Sequence, residues 1–351
     1  MTIDRRSFLH RMALMSAGVS MPGLTTLAQS AAGQQGGAGD YRVIDIHAHC
    51  VVPEVAPLLE GTAFAEVPFI GWQTLSDKRL ADMEARGIDV QVLSINRFWW
   101  YRADEALADE IVRVHDEALA SWCENYPERF AALCSVALQH PELAGEQLER
   151  AVTRYGLRGA SVGGSVLGEP LSSPRFDPFW AKAEELGVPV FMHPTSAAFL
   201  MQDGVFDGSG DLGNIVGNPL ETTLFLSRLI FDGTLDRFPN LTIVAPHAGG
   251  YLPSYLGRTD VACDVRSGAN CQNLRRPTEY LKNQIVIDSM IFSEEGLRHL
   301  VAEVGASQVV YGSDMPFNWP DTIGLIADAE FLNAADKRAI LGGNLERLLD
   351  L

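Results

Sequence analysis

Residues 44–49 read Ile-Asp-Ile-His-Ala-His, a short apolar run that ends in two histidines one residue apart. Alternate residues of a β-strand point to the same side, so His47 and His49 are predicted to converge on one point. Two imidazoles on one side of a strand end make half of a metal site. Because an HxH pair alone is a weak signal, its meaning depends on what the rest of the chain supplies.

The chain around this run alternates short β-branched stretches with longer amphipathic segments. Eight stretches are predicted to be strands: Arg42–His47, Asp89–Ile95, Phe130–Val136, Gly159–Gly163, Val188–His193, Leu241–Pro246, Gln284–Asp288 and Gln308–Tyr311. Helical periodicity is seen in Asp77–Arg86, Asp104–Asn125, Glu142–Tyr155, Phe176–Leu186, Leu220–Phe238, Tyr251–Asp264, Ser293–Val304 and a tail from about Thr322 to Leu351. This alternation predicts a parallel sheet, and eight such units close into a barrel. We therefore expect an α/β protein with a single (β/α)8 TIM barrel over residues 41–351.

Other strand ends supply further metal-ligating side chains. His193 and His247 follow the fifth and sixth predicted strands, and Asp314 follows the eighth. Strand ends one, five, six and eight would meet at the carboxyl-terminal mouth of a barrel, where active sites lie. Four histidines and an aspartate in these places are hard to attribute to packing. By contrast, His115 and His299 lie in charged helical stretches, where solvated positions are expected.

This arrangement resembles the amidohydrolase superfamily. The flanking sequence narrows the resemblance to the aminocarboxymuconate-semialdehyde decarboxylase branch, which also holds resorcylate-type aromatic decarboxylases, lactonases and hydratases. The stretches that carry it are Asn218–Thr223, Arg237–Leu241, His247–Gly250, Gly257–Arg258 and Gly312–Phe317. The resemblance covers about Val43 to Leu351 and is more specific in the second half.

The resemblance implies a set of site residues and a cofactor. Metal ligands are implied at His47, His49, His193 and Asp314, and a catalytic histidine at His247. Superfamily members with two metals bridge them by a lysine on strand four, and residues 159–164 contain none, so one divalent ion is expected. Nitrogen and oxygen ligands with an open position suit zinc, our first choice, or manganese.

These ligand types leave two activities open. A bound metal lowers the pKa of a water molecule and polarises a substrate oxygen. His247 can act as a general acid or base near neutral pH, and Asp314 can hold the water through its second oxygen. The preferred hypothesis is a mononuclear metal-dependent decarboxylase of a small aromatic or unsaturated carboxylic acid. The alternative is a metal-dependent hydrolase of a lactone, amide or ester, and a non-catalytic metal- or sugar-binding barrel is disfavoured because the constellation is intact.

Three residues are candidates for contact with a small-molecule substrate. Arg258 matches a family arginine that resembles a carboxylate clamp reaching a neighbouring subunit, which implies a homodimer. Arg97, followed by four aromatic residues, could hold a carboxylate against an aromatic wall, and Phe317 matches a family aromatic at the mouth. The loop Ala63–Trp72 lacks the arginine of the muconate enzyme, and Thr195 replaces its tryptophan. These departures argue against aminocarboxymuconate semialdehyde itself.

The first 40 residues are set apart from the barrel. Arg5 and Arg6 precede a short apolar run and a cluster of small residues, a pattern typical of a twin-arginine signal peptide over residues 1–32. Residues 33–40 would form a flexible tether. We therefore expect a periplasmic or secreted protein with no membrane association after cleavage.

The net charge and the cysteine content exclude some classes of partner and indicate how the cysteines are used. The formal net charge of -18 argues against nucleic acid or an anionic membrane as partner. Five cysteines are an odd number and form no CxxC pair. We expect most of them to be small buried residues, although Cys263 and Cys271 could pair in an oxidising compartment.

Overall fold

The structure, a computed structural model, describes residues 41–65, 71–96, 98–195, 201 and 204–351. The predicted signal peptide and tether and the predicted substrate contact Arg97 lie outside the described residues. The strands in chain order are β1 Ile44–His49, β2 Val90–Ser94, β3 Phe130–Ala132, β4 Cys134–Ser135, β5 Ala160–Gly163, β6 Ser165–Val166, β7 Glu169–Pro170, β8 Val190–His193, β9 Ile243–Ala245, β10 Ile285–Asp288 and β11 Val309–Val310.

The strands pair into a closed ring of eight parallel positions. β1, β2 and β3 pair in that order, and β4, β5, β8, β9, β10 and β11 continue the ring. β3 and β4 share one position, interrupted only by Leu133. The ring closes between the first and last strands, where Ile46 N donates to Tyr311 O at 3.1 Å and His49 N to Met315 O at 2.7 Å. The predicted (β/α)8 barrel is confirmed, and all eight predicted strands are found.

Helices cover the outside of the ring, close to the predicted ranges. Their bounds are Ala56–Leu59, Asp77–Arg86, Glu105–Asn125, Pro141–Tyr155, Asp177–Leu186, Asn218–Phe231, Thr234–Arg237, Leu256–Val265, Pro277–Asn283, Glu294–Val304, Ile323–Ala327, Ala334–Arg338 and Asn344–Leu349. The predicted helix Leu220–Phe238 is divided at Gly233, which has a φ of 73°. The predicted helical tail is broken into short pieces. None of the helices in the described part of the chain has the length and apolarity needed to span a bilayer.

The core has two layers because barrel strands are buried on both faces. Outside the ring, apolar side chains of strands and helices pack together. Inside it, Ile44, Ile46 and Phe191 pack in a smaller cluster with Leu345 and Leu349 of the last helix. The last helix thus packs two leucines against the end of the barrel opposite the mouth, where the strand residues form an apolar interior.

One expectation drawn from the sequence is wrong, and one question that it left open is answered. Cys263 and Cys271 form the disulfide that the sequence left open, whereas Cys50, Cys123 and Cys134 are free and the first and last of these are buried. Cys263, in the last turn of the helix Leu256–Val265, and Cys271 lie at the two ends of one short loop, which brings them together. His115 is buried, not solvated, and its Nδ1 lies 2.9 Å from Ser135 Oγ. The charged helix Glu105–Asn125 turns this side chain toward β4; His299 is exposed as expected.

Candidate metal centre

Five side chains from four strand ends meet at the mouth of the barrel. Potential ligand atoms of His47, His193, His247 and Asp314 all lie within 4.8 Å of one another. His49 lies beside them, with its Nε2 3.3 Å from His47 Nε2 and 2.8 Å from Asp314 Oδ1. The structure therefore brings together the four implied ligands and the implied catalytic histidine. Together they form a single site for a divalent metal ion.

A β-bulge in the first strand positions His47 and His49. The register between β1 and β2 shifts between Asp45 and Ala48, so that β1 holds one extra residue there. Bulges of this kind redirect side chains next to active sites. Asp45 stabilises the bulge because its Oδ1 accepts from His47 N at 3.0 Å and from Ser313 N at 2.9 Å. Both histidines consequently turn toward β8 and β9, and the His47 ring lies 5.1 Å from that of His193.

His247 and Asp314 are presented by a different backbone conformation. Both are non-glycine residues with positive φ, 53° for His247 and 58° for Asp314. Left-handed conformations cost roughly 1–2 kcal/mol for such residues and concentrate at functional sites. The turn after β9 and the one after β11 therefore hold these two side chains in conformations that the surrounding packing must maintain.

The protonation of the imidazoles fits a cation at the centre. His47 Nδ1 lies 2.7 Å from Asp288 Oδ2, and His193 Nδ1 lies 2.9 Å from Pro194 O. Each of these oxygens accepts a hydrogen bond from Nδ1–H, so that Nε2 is the nitrogen that faces the cluster and is available to a cation. Metal-binding histidines are oriented by such partners. Asp288 ends the predicted seventh strand, and its position at a strand end is the signal by which sequence analysis could have found it.

The carboxylates of Asp288 and Asp314 favour positive charge at the centre. Burial lowers the pKa of His47, but Asp314 and Asp288 outweigh it and raise that pKa to about 10. Burial likewise raises the pKa of Asp314, yet His47 and His49 hold it well below its usual range. The buried Oδ1 of Asp314 makes no well-oriented hydrogen bond with the residues that the structure describes. An oxygen crowded by ring nitrogens in this way fits a shared cation.

His193 and His247 are held in the neutral state. Burial and the neighbouring histidines keep the pKa of His193 well below its ordinary value. Burial, with His47 nearby, also lowers the pKa of His247. His247 remains partly exposed at the mouth, and its buried Nδ1 has no hydrogen-bond partner among the described residues. A neutral imidazole with an open nitrogen can accept a proton and return it.

The predicted substrate contacts have different positions. Phe317 lies at the centre, with its ring edge-on to His49 at 5.0 Å. Trp72, which sequence analysis did not single out, extends this aromatic wall and packs edge-on against Phe317 at 5.2 Å. Arg258 is exposed on the helix Leu256–Val265 and forms no ion pair within the described part of the chain. The structure does not place it in this chain's own centre.

The chain belongs to the amidohydrolase family, whose profile, Amidohydro_2, matches residues 44–351. The match spans the whole barrel, including every residue of the centre. The protein is therefore an enzyme of this family, built on the barrel and the single metal site described above.

Curated relatives and solved structures resemble the chain over nearly all of the barrel. A 2-amino-3-carboxymuconate-6-semialdehyde decarboxylase of Dictyostelium discoideum is 29% identical, with 90% of this chain and 86% of the relative covered. A gamma-resorcylate decarboxylase of Rhizobium sp. (strain MTP-10005) is 32% identical, with 88% and 98% covered. A crystal structure of 5-carboxyvanillate decarboxylase from Novosphingobium aromaticivorans, complexed with manganese and 4-hydroxy-3-methoxy-5-nitrobenzoic acid, is 25% identical, with a TM-score of 0.79 and 90% and 98% covered.

Proposed function

We propose that the protein is a metal-dependent decarboxylase of a small aromatic carboxylic acid. The observation that carries the proposal is a neutral, partly exposed His247 beside a buried centre that favours a cation. The names of the similar proteins, which include decarboxylases of resorcylate and carboxyvanillate, support the same chemistry. The aromatic wall of Phe317 and Trp72 favours a planar ring as substrate.

The side chains divide the reaction between them. When bound, the metal ion supplies Lewis-acid polarisation of a substrate oxygen. His47, His49, His193 and Asp314 would hold it. His247 takes a proton from solvent on its open nitrogen and donates it to the ring carbon that bears the carboxylate, which returns the imidazole to its neutral form. The C–C bond to the carboxylate then breaks, the bonding electrons return to the ring and carbon dioxide leaves.

A product assay separates this function from hydrolysis. We expect carbon dioxide from one or more hydroxybenzoates in a panel that also contains lactones, amides and esters. Release should require an added divalent ion and should be lost with a chelator. Ring opening of a lactone without carbon dioxide from any acid would replace the proposal with the hydrolase alternative.

We extend the proposal to the identity of the metal. The nitrogen-rich ligand set suits zinc, and manganese is the alternative supported by the relative's crystal structure. Elemental analysis of the purified protein should give about one equivalent per chain. Reconstitution of metal-free protein with each ion then identifies the one that restores turnover, and two equivalents in fully active protein would contradict a mononuclear site.

Arg258 is proposed to complete the substrate site of a second subunit in a homodimer. Its helix, Leu256–Val265, buries only Leu256, while Val261 and Val265 are 45% and 69% exposed. Guanidinium binds a carboxylate at two points, which lysine does not reproduce. Arg258→Lys should raise KM, and Arg266→Lys, at the exposed residue that follows the same helix, serves as control. A monomer in sedimentation with unaltered kinetics for Arg258→Lys would contradict the proposal. Arg97 is proposed as a second contact and is tested by the same substitution.

Export through the twin-arginine route is also a proposal. The paired arginines support it, and so does the disulfide between Cys263 and Cys271, since disulfides form in oxidising compartments. Arg5→Lys with Arg6→Lys preserves the charge but should retain the protein in the cytoplasm. Normal periplasmic yield of the double variant would exclude this route.

A further inference from the structure

We propose that Asp288 is a positioning residue that fixes the metal ligand His47 and the turn carrying His247 at the same time. Asp288 is buried with no exposed area at the end of β10. Its two carboxylate oxygens face different partners. The roles of His47 and His247 rest on the proposed function, whereas the contacts of Asp288 do not.

The first oxygen selects the tautomer of His47. Oδ2 lies 2.7 Å from His47 Nδ1, and both side chains are fully buried. A carboxylate oxygen can only accept, so a proton stays on Nδ1, and Nε2 is the nitrogen left to bind a metal. The same contact fixes the ring plane of His47.

The second oxygen holds the turn after β9. Ala248 N donates to Asp288 Oδ1 at 2.8 Å, and Met290 N donates to the same oxygen at 3.2 Å. Ala248 directly follows His247, so this contact determines where the imidazole points. The turn is thereby attached to β10, the neighbouring strand of the barrel.

The turn needs such an attachment because its backbone is unfavourable. His247, Ala248, Gly249 and Gly250 all have positive φ, from 53° to 72°. The two non-glycine residues would relax toward negative φ if nothing held them. At the far end, a Cβ on Gly250 would lie 2.3 Å from Pro219 O, so close packing fixes that end. Near His247, the hydrogen bond to Asp288 restrains the backbone.

The two contacts cannot both survive the loss of one acceptor. In Asp288→Asn, one oxygen accepts and the amide NH2 can only donate. If the oxygen keeps Ala248 and Met290, the NH2 faces His47 Nδ1 and moves its proton to Nε2, where a metal would bind. If the amide is reversed, the His47 contact remains and the turn loses its acceptor.

The first experiment measures metal affinity without any substrate. Titration of metal-free protein with zinc and manganese, in competition with a chelator, compares Asp288→Asn with the parent. We expect affinity to fall about 10- to 100-fold, the usual effect of removing such a partner. The matched control is Asp321→Asn, because Asp321 also accepts from one side chain, Tyr311 Oη at 2.7 Å, and one backbone group, Ile323 N at 3.2 Å. The control should bind metal like the parent.

Asp288→Glu separates position from charge and provides a second variant if the asparagine protein does not fold. Glutamate keeps both acceptors and the negative charge but is one methylene longer, so it cannot meet both partners at these distances. Positioning predicts weakened metal binding here too. Parent-like affinity in Asp288→Glu, or in Asp288→Asn, would overturn the proposal.

The second experiment tests the turn at saturating metal. We expect turnover of Asp288→Asn to stay below that of the parent by 10-fold or more, because His247 is no longer aimed. Ala248→Gly in the same background should recover part of kcat, since glycine adopts positive φ freely, without recovering metal affinity. Full turnover of Asp288→Asn at saturating metal would show that Asp288 does not position the turn that carries His247. Activity on lactones alone would contradict the decarboxylase assignment but leave the affinity result intact.

Discussion

The ends of strands β1 and β9 direct histidines at the same point by different means. In β1, His47 and His49 lie on a strand whose bulge is stabilised by Asp45, and neither has a positive φ. In the turn after β9, His247 is the first of four consecutive residues with positive φ. The first arrangement keeps two ligands on one side of an extended strand, and the bulge sets their direction. The second stores strain and presents a single side chain whose protonation can change.

Among the histidines, the contrast separates the pair of ligands on β1 from the single catalytic candidate. Asp314, the carboxylate ligand, shares the positive φ of His247, so the contrast applies to the histidines alone. A general acid or base needs an unbonded nitrogen at the mouth, which the strained turn provides. The most direct test of this difference is to remove one histidine from the end of β1 and one from the turn after β9.

The largest effect is expected for His47→Ala. The variant loses a ligand in the centre and leaves Asp288 and Asp314 without their shared partner, so metal binding and all metal-dependent turnover should be lost. Elemental analysis after dialysis and a carbon dioxide assay measure both. Stoichiometric metal in active His47→Ala protein would show that His47 is not a ligand.

His247→Ala should leave metal content nearly intact and reduce turnover by about 10²–10⁴-fold, as for loss of a general acid or base. The same elemental analysis and assay apply, with His299→Ala as the exposed control. Loss of metal from this variant would make His247 a ligand and would erase the functional difference between the two strand ends.

His115, which lies at neither strand end, sharpens the comparison because no carboxylate of the described residues offsets the effect of its burial. Burial alone lowers the pKa of His115 to about 3, whereas the carboxylates near His47 reverse the effect of burial. The unfolded chain binds a proton to His115 near pH 6.5 and the folded chain does not, so stability is lost as pH falls from about 6.5 toward 3. Urea unfolding should show a loss of a few kcal/mol in this window. His115→Gln should reduce this loss of stability, and His299→Gln should not. An equal pH dependence of stability in the parent and both variants would contradict the buried position of His115.

The smallest predicted effect is on stability, and it compares the backbone of the turn after β9 with the backbone of β1. Ala248→Gly should stabilise the protein by up to about 1 kcal/mol because it relieves a left-handed alanine. Ala48→Gly in β1 should destabilise it by about 0.5–1 kcal/mol, since glycine loses more conformational freedom on folding than alanine does. Thermal melts of the metal-free proteins give both values. Destabilisation by Ala248→Gly would mean that the turn carries no strain.

The same contrast explains what the sequence could predict. The alternation of runs gave the eight strands, and the strand-end positions of His47, His193, His247 and Asp314 gave the cluster. The bulge at Asp45 and the positive φ of His247 depend on contacts with Ser313 and Asp288, which lie far away in the chain. Local periodicity carries no information about such contacts. His115 was misjudged for a related reason, since its partner Ser135 lies across a helix–strand interface.

The carboxyl-terminal helix has a consequence for the order in which the protein forms. Leu345 and Leu349 belong to the same interior cluster as Ile44 and Ile46, and a Cβ on Gly342 would lie 2.2 Å from Arg42 O. The first barrel strand therefore completes its packing only against residues that follow the eighth strand in the chain. A nascent chain that has made seven barrel strands still exposes the apolar interior of the first. The barrel can consequently close only once the helix Asn344–Leu349 has been synthesised, and removal of this helix should produce an aggregation-prone chain instead of a shorter barrel.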